Sequence, residues 1–185
     1  DTGVIYVGLT LNAFGNHVDH NYIHDFGKMH EDGTTYGVYG IYWDDWVSGQ
    51  SAEGNIIVPN NYKSVIGILS FGNYNEFRYN TIANANRPVS FTFRNGWKVG
   101  ENATVMNSLN STPPLALEMY PGMMDTKNKI IANDGYITQE NVDVSYNVAY
   151  STPSGYALNE YLLADGKTED NRTFETPDIF VDPDN

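Results

Sequence analysis

Four side chains at matching places along the sequence, Asp44, Phe71, Arg94 and Glu118, could line one binding groove. Each lies in or just after a short apolar segment, and alternate side chains of a strand face opposite sides. If the segments are strands stacked about 4.8 Å apart, the four side chains form one external column. An acid, an aromatic ring, a base and a second acid in such a column would suit a sugar chain. The alternative is a solvated sheet face, where outward charges are expected in any case.

Aromatic and loop residues close to Asp44 extend this candidate groove. Tyr42 and Trp46 are candidates for stacking against a sugar ring, and packing in the core is the alternative for each. The segment 27–36 has the character of an insertion that runs into the Asp44 strand, and insertions in repeat folds map to loops on one face. His30, in this segment, could hang over the groove and serve as an acid or base. A flexible polar loop is the alternative.

Three histidines and two acids near the N-terminus have the composition of a metal site but not its spacing. They are His17, His20 and His24 with Asp19 and Asp25. On a strand these side chains do not share one face, and Asn21 marks a bend among them. We therefore predict no metal site here and interpret His24 with Asp25 as a pair at a bend or beside the site.

The elements that position these residues are short apolar strands, each followed by an asparagine-marked segment. Strands are predicted at residues 3–8, 40–43, 67–72, 89–93 and 115–119. Matched positions Ile5, Ile41, Ile68, Phe91 and Leu117 are separated by 36, 27, 23 and 26 residues. A repeat of this length is too short to contain a helical crossover of the βαβ type together with a second strand. Self-similarity at such a period indicates a solenoid of short strands.

Asparagines recur five residues apart at the predicted bends, as in Asn55/Asn60 and Asn75/Asn80. Asn tolerates a left-handed backbone, and stacked Asn side chains can form amide ladders. The sequence thus predicts an all-β fold, a right-handed parallel β-helix of about five coils over residues 1–164. A less regular C-terminal extension follows, with residues 165–185 as an acidic tail or the start of a further segment.

Composition limits the possible functions. Apolar residues make up 41% of the chain and aromatic residues 14%, which is enough for a sizeable core. Twenty-three acidic residues against ten basic ones give a net charge of −13, which argues against nucleic acid and an anionic membrane as partners. The absence of Cys excludes disulfides and thiolate chemistry. No helix longer than about two turns is predicted, and residues 157–164 are the helical candidate.

Three sequence segments carry a family resemblance. They read Gly3-Val-Ile-Tyr, Asn21-Tyr-Ile-His-Asp25-Phe-Gly27, and Gly40-Ile-Tyr-Trp-Asp-Asp45 with Ser48-Gly49. They resemble the right-handed parallel β-helix repeat family, and more narrowly its fucosidase- and xylanase-like glycoside hydrolases from polysaccharide-degrading bacteria. The resemblance covers residues 1 to 110 best. It implies an extracellular or periplasmic protein and a catalytic role for the acids Asp44 and Asp45.

Glycoside hydrolysis sets a geometric requirement for those acids. The two carboxyl groups lie about 5 Å apart in retaining enzymes and about 6.5–9.5 Å apart in inverting ones. Asp44 and Glu118 would be three coils apart, about 14 Å, which is too far. Asp45 is adjacent to Asp44 and is expected in a turn. Asp1, in a family-like Asp-Thr-Gly-x-Ile-Tyr segment, is the third candidate and reaches Asp44 if its segment bends back.

The leading hypothesis is a glycoside hydrolase that cleaves a neutral or weakly charged polysaccharide or oligosaccharide without a cofactor. One alternative is a non-catalytic carbohydrate-binding or tailspike-like β-helix. The other is a polysaccharide lyase, which would use Arg94 as its base and usually needs calcium. Because solenoids expose strand edges at their ends, we also expect another chain or missing N-terminal coils to cover the N-terminal end.

Overall fold

The structure, a computed structural model, describes residues 2–8, 10–27, 37–60, 65–91, 103–136, 140–150 and 166–175. Within these residues the chain repeats one longer strand followed by two strands of three residues. The strands are β1 (Thr2–Val7), β2 (His17–Asp19), β3 (Tyr22–His24), β4 (Val38–Trp43), β5 (Ser51–Glu53), β6 (Ile56–Val58), β7 (Ile66–Ser70), β8 (Glu76–Arg78), β9 (Thr81–Ala83), β10 (Arg87–Phe91), β11 (Asp143–Ser145), β12 (Val148–Tyr150), β13 (Lys167–Glu169) and β14 (Arg172–Phe174).

The strands form three parallel sheets; each of the first four repeats gives one strand to every sheet, and β13 and β14 extend the second and third sheets. The first sheet has the order β1-β4-β7-β10, the second β2-β5-β8-β11-β13 and the third β3-β6-β9-β12-β14. Every adjacent pair is parallel. The protein is therefore built mostly of strands with few helices, and the predicted all-β character and parallel stacking agree with the structure.

Register in the first sheet confirms the first two predicted intervals and corrects the third. Ile5 pairs with Ile41, and Ile41 pairs with Ile68. Ile68 pairs with Val89 rather than Phe91, so the predicted alignment of the fourth strand was wrong by two residues. The apolar run at 89–93 permits both registers because side chains two apart share a face. The alignment that placed Arg94 in the Asp44 column fails with it, although Arg94 itself lies outside the described residues.

The core lies between the sheets. Its largest side chains come from all three sheets, including Ile41 and Trp43 from the first, Phe77 from the second, and Ile57 and Ile82 from the third. Trp43 and Phe77 stack with ring centroids 4.8 Å apart. Tyr42 lies outside this core, in a separate cluster with Tyr39 and Leu69. The sides predicted for Ile41, Trp43 and Tyr42 are confirmed, but Tyr42 is 2% exposed rather than facing solvent, and Tyr39, three residues earlier, shares its cluster, so strict alternation does not hold along β4.

The bends between the second and third sheets carry the predicted amide ladder. Its rungs are Asn21, Asn55, Asn80, Asn147 and Asn171, and each side-chain amide donates to the next Oδ1 at 2.9–3.0 Å. The backbone N–H of each also donates to that Oδ1, at 2.9–3.1 Å. The residue before each rung has a positive φ, as at Gly54 (63°) and Tyr79 (57°). A left-handed residue followed by Asn thus makes a two-residue bend that stacks from repeat to repeat.

A helical insertion between β10 and β11 contradicts the prediction of a strand at 115–119 and of no long helix. It contains α1 (Ala103–Asn110), α2 (Pro114–Met119) and α3 (Pro121–Ala132). Pro114 and Pro121 each occupy the first turn of a helix, where the missing N–H costs nothing. Glu118 is therefore an exposed residue of α2 and belongs to no strand column.

The helices pack on the sheets through a second apolar cluster. Leu11 and Trp46, from the connections between the first and second sheets, meet Leu109, Met123 and Ile130 from the helices. Two polar contacts also join α3 to the rest of the chain, because the Tyr74 hydroxyl donates to Asp125 and Lys129 forms an ion pair with Glu140. Across the part of the chain that the structure describes, no helix has the length and apolar character needed to cross a membrane.

The chain after residue 164 also contains strands. β13 and β14 add the outermost strand to the second and third sheets, respectively. Residues 167–169 and 172–174 of the predicted acidic tail therefore form strands. The division of the chain at residue 164 stays a prediction, and the helical candidate at 157–164 lies outside the described residues.

Candidate functional site

Asp44, the first candidate acid, lies directly after β4, at the carboxyl end of the first sheet. Its carboxylate accepts hydrogen bonds from the Tyr42 hydroxyl at 2.6 Å, the Tyr6 hydroxyl at 3.0 Å and the Asp45 backbone N–H at 2.8 Å. Tyr6 and Tyr42 can converge on one acid because they are partners in the register of β1 and β4. The result is a carboxylate fixed by donors from two neighbouring repeats.

Both tyrosines are held as donors. Burial, followed by the hydrogen bond to Asp44, raises the pKa of Tyr42 well above its usual value. The same causes raise the pKa of Tyr6, although that ring is 50% exposed. Both hydroxyls therefore keep their protons near neutral pH, and Asp44 keeps two side-chain donors.

Asp45 and Trp46 occupy a turn, as expected for Asp45. The Val47 N–H donates to the Asp44 carbonyl at 3.1 Å, and Trp46 has a φ of 66°. Asp45 is 5% exposed, and Trp46 is 6% exposed in the cluster that holds the helices. Tyr42 is 2% exposed. In this conformation the rings of Trp46 and Tyr42 serve packing, and their role in sugar stacking stays a prediction.

The structure brings part of the predicted groove together. Phe71 lies beside Tyr42, with ring centroids 6.1 Å apart, and thus close to Asp44. His24 forms the predicted bend pair, with Nδ1 2.8 Å from Asp25 Oδ2, and its ring stacks on Tyr22. Glu118 is remote from that column, on α2. The remaining candidates Asp1, His30 and Arg94 lie outside the described residues. Among the residues described, no three His, Cys, Asp or Glu side chains are grouped to hold a metal ion.

A cleft that the sequence reasoning missed lies between the second sheet and the helices; we call it the helix–sheet cleft. Its volume is about 350 Å³, within the range of roughly 300–1,000 Å³ that is typical of small-molecule sites. Aromatic side chains from three segments line it, namely Phe14, Tyr74 and Tyr120. The first turn of α3 also lines it, through Pro121 and Gly122.

Small residues at the bends allow the rings to approach the backbone. Gly15 and Gly49 have φ values of 83° and 67°, and a Cβ on either would collide with a ring, that of Tyr120 and that of Phe14, respectively. The Phe14 ring centroid is 6.3 Å from that of Tyr120 and 6.5 Å from that of Tyr74. Glycine is thus favoured at both positions for two reasons, because the backbone has a positive φ and because the aromatic ring occupies the place of a Cβ.

Polar groups converge on the same cleft from the second sheet. His17 Nδ1 lies 2.5 Å from Ser51 Oγ, and the two residues are register partners on β2 and β5. Gln50 donates through Nε2 to the Ser48 carbonyl at 2.7 Å, whereas its buried Oε1 accepts no hydrogen bond from the described residues. Glu76 lies next to Ser51 on β8 and forms an ion pair with Arg78 at 3.2 Å. The cleft therefore combines aromatic faces with several acceptors.

Two features of the sequence could have indicated this cleft. Pro113-Pro114 and Pro121-Gly122 begin helices, and proline in the first helical turn is a recognised start signal. Because residues 115–119 were predicted as a strand, these two helix starts were not recognised, and Tyr120, which lies between the helices, was not a candidate. His17 lies next to Ser51 because β2 and β5 pair with an offset of 34 residues. Predicting this contact would have required knowing that offset.

A second groove runs over the outer face of the third sheet. Its volume is about 690 Å³, and its lining is mainly apolar, with Tyr22, Ile56, Val148 and Phe174 among the residues. Tyr22 is 63% exposed and Ile56 46% exposed. Arg172 is the charged residue among the described side chains that line it. The groove offers few convergent polar groups, so the helix–sheet cleft is the better candidate for a specific ligand.

Comparison of the chain with protein-family models, with curated proteins and with solved structures finds no match in any of the three.

Proposed function

We propose that the protein is a carbohydrate-binding right-handed parallel β-helix, with the sugar bound in the helix–sheet cleft. The fold part of the proposal is supported by three parallel sheets to which each of the first four repeats gives one strand. A continuous chain visiting three sheets in turn would form the successive coils of a solenoid. Its right hand is the hand of about 98% of crossovers between parallel strands.

The lining of the cleft carries the functional part. Phe14, Tyr74 and Tyr120 offer ring faces and edges of the kind that pack against the apolar face of a sugar. Gln50 Oε1 is a buried acceptor that receives no hydrogen bond from the part of the chain that the structure describes, and an unpaired group of this kind costs about 1–3 kcal/mol. A sugar hydroxyl that reached it, with a small movement of the side chain, would recover that energy. A ligand with many hydroxyl groups and one apolar face matches both features.

Charge favours a neutral or weakly charged sugar. Glu76 lines the cleft, and the chain as a whole carries a net charge of −13. An acidic sugar would have to overcome repulsion from both. Arg78 does not reverse this balance, because it is already paired with Glu76 and with Asp143 at 2.7 Å.

The cleft favours binding over glycosidic cleavage. Hydrolysis by the usual mechanisms requires two carboxyl groups flanking the scissile bond. Of the described residues that line the cleft, Glu76 alone carries a carboxylate. We therefore assign the cleft a binding role, which corresponds to the non-catalytic alternative from the sequence.

The test is binding of a panel of neutral oligosaccharides, measured by isothermal titration calorimetry. Tyr120→Ala removes one ring from the cleft and is expected to weaken binding about tenfold, or 1.4 kcal/mol. The matched control is Tyr22→Ala, which removes an exposed ring from the third sheet. Equal weakening by both variants, or no binding to any member of the panel, would contradict the proposal. Circular dichroism of each variant checks that the fold is kept.

Glycoside hydrolysis at Asp44 is the second candidate. It is favoured by the placement of Asp44 at the end of a sheet, next to the half-exposed Tyr6. The assay is the release of reducing ends from the polysaccharide that binds best. Asp44→Asn keeps the shape of the side chain and should abolish release if Asp44 is catalytic. Release that persists in Asp44→Asn would remove this candidate.

A further inference from the structure

The contact between His17 and Ser51 in the helix–sheet cleft has the form of a nucleophile beside its base. His17 Nδ1 is 2.5 Å from Ser51 Oγ, within the reach needed for proton transfer. Both residues line the cleft, and Ser51 is 7% exposed while His17 is exposed to solvent. Ser51 is therefore largely covered, whereas the imidazole beside it on the neighbouring strand is open to solvent.

We propose that this pair removes small acyl groups, such as acetyl, from hydroxyl groups of the sugar held in the cleft. The inference rests on the proposed function, since it needs the sugar to be bound there. The acyl group is expected to be small because Ser51 is only 7% exposed, which leaves little room for a longer acyl chain at Oγ. The reaction class is ester hydrolysis.

The reaction balances with water as the second substrate. Ser51 Oγ attacks the ester carbonyl carbon, and its proton passes to His17 Nδ1. The tetrahedral intermediate expels the sugar oxygen, which takes the proton from His17 and leaves as a hydroxyl group. Water then attacks the acyl-serine, gives a proton to His17, and releases the carboxylic acid as Ser51 regains its proton. No oxidant, reductant or metal is consumed.

The first turn of α3 supports the same chemistry. Pro121 and Gly122 line the cleft; Pro121 carries no N–H and the Met123 N–H donates to the Tyr120 carbonyl at 3.0 Å, which leaves the Gly122 N–H as the candidate donor. Helix N-termini favour negative charge, which develops on the carbonyl oxygen during attack. The Ser51–His17 contact carries the proposal, and the helix adds a favourable field.

The obvious alternative is that Ser51 and His17 form a structural cross-strand pair. Labelling with a fluorophosphonate probe separates the two, because only an activated serine reacts. The wild-type protein should be labelled and should release acetate from an acetylated oligosaccharide. Ser51→Ala should abolish labelling and lower the rate of acetate release at least 100-fold. His17→Ala should lower the rate of acetate release by a similar factor.

The control variant is Ser145→Ala, in which the serine lies on the same sheet, bonded to Asp143 and away from the cleft. It should keep full labelling and activity. Absence of labelling in the wild-type protein, or equal labelling of Ser51→Ala, would overturn the proposal.

Binding of the deacetylated sugar is measured in parallel by calorimetry. If the protein binds the sugar but shows no esterase activity, the esterase proposal fails and the proposed binding function stands. Loss of binding in the wild-type protein would overturn both.

Discussion

The side-chain amide of Asn80 donates to Oδ1 of Asn147 at 3.0 Å, although 67 residues separate the two in the chain. The preceding rung, Asn55 to Asn80, spans 25 residues and has the same 3.0 Å distance. The helical insertion therefore enters between two repeats without disturbing the ladder. Helices α1 to α3 pack on the outside of the sheets, and the second and third sheets continue across the insertion from β8 to β11 and from β9 to β12.

Removing one asparagine from the middle of this ladder should lower the free energy of unfolding substantially. Asn80 is 0% exposed, accepts from the Asn55 backbone N–H, and donates to both Asn147 and the Ala52 carbonyl. Asn80→Ala would leave several buried polar groups without partners, each worth about 1–3 kcal/mol. We expect the free energy of unfolding in urea to fall by roughly 3–5 kcal/mol.

Asn16→Ala serves as the control for Asn80→Ala. Asn16 is exposed, and its side-chain amide donates to the Ala13 carbonyl at 2.8 Å. Its loss should cost less than about 1 kcal/mol, the usual net value of such a bond. Similar losses in both variants would mean that the ladder adds little to stability.

The repeat was predictable because its signals are local. The spacing from Ile5 to Ile41 to Ile68 matches the observed register, and the stacked asparagines follow from the bends that need them. Both features depend on residues within one repeat of each other. The alternation that places Ile41 inside and Tyr42 outside is equally local, since it depends on the two-residue period of a strand.

The insertion and the cleft were not predictable by the same reasoning. Leu115 and Leu117 alternate like the side chains of a strand, and a mainly apolar segment of five residues does not distinguish strand from helix. Trp46 is adjacent to the candidate acids in sequence, yet it packs against the helices. Ser51 and His17 meet because two strands pair across 34 residues. Contacts of this kind depend on tertiary packing rather than on spacing within a segment.

Alkaline pH should destabilise the protein partly through Tyr74. Burial, followed by the hydrogen bond to Asp125, raises the pKa of Tyr74 to about 12, compared with about 10 in an unfolded chain. Between these values the unfolded state binds fewer protons than the folded state, so stability falls as pH rises. Below pH 10 the contribution is fully present, and it is lost as the pH approaches 12.

Urea unfolding of Tyr74→Phe at several pH values from 9 to 12 checks this. Phenylalanine has no proton to lose, so the decline in stability over that window should be smaller than in the wild-type protein. Tyr79→Phe, at a 59% exposed ring, should decline as the wild type does. Parallel curves for all three proteins would exclude a contribution from Tyr74.

Trp46 should matter for stability because of its packing. It is 6% exposed and joins Leu11, Leu109, Met123 and Ile130 in the cluster that fastens the helices to the sheets. Trp46→Ala should therefore lower the free energy of unfolding by about 3–5 kcal/mol. The exposed aromatic substitution Tyr22→Ala should cost far less in the same urea titration. A loss below about 1 kcal/mol for Trp46→Ala would mean that this cluster does not hold the insertion.

Arg78 holds three acids together on the outer face of the second sheet. Its guanidinium lies 2.7 Å from Asp143, 3.2 Å from Glu76 and 3.9 Å from Glu53. Arg78→Leu would leave these carboxylates on adjacent strands without the shared cation, and like charges on adjacent strands repel. We expect a loss of about 1–3 kcal/mol at pH 7. That loss should shrink at an ionic strength of about 1 M, where charges are screened over about 3 Å. The measurement is urea unfolding at low and at high salt, with Arg172→Leu on the third sheet as the matched arginine control. A loss for Arg78→Leu that does not change with salt would show that the side chain acts through packing rather than charge.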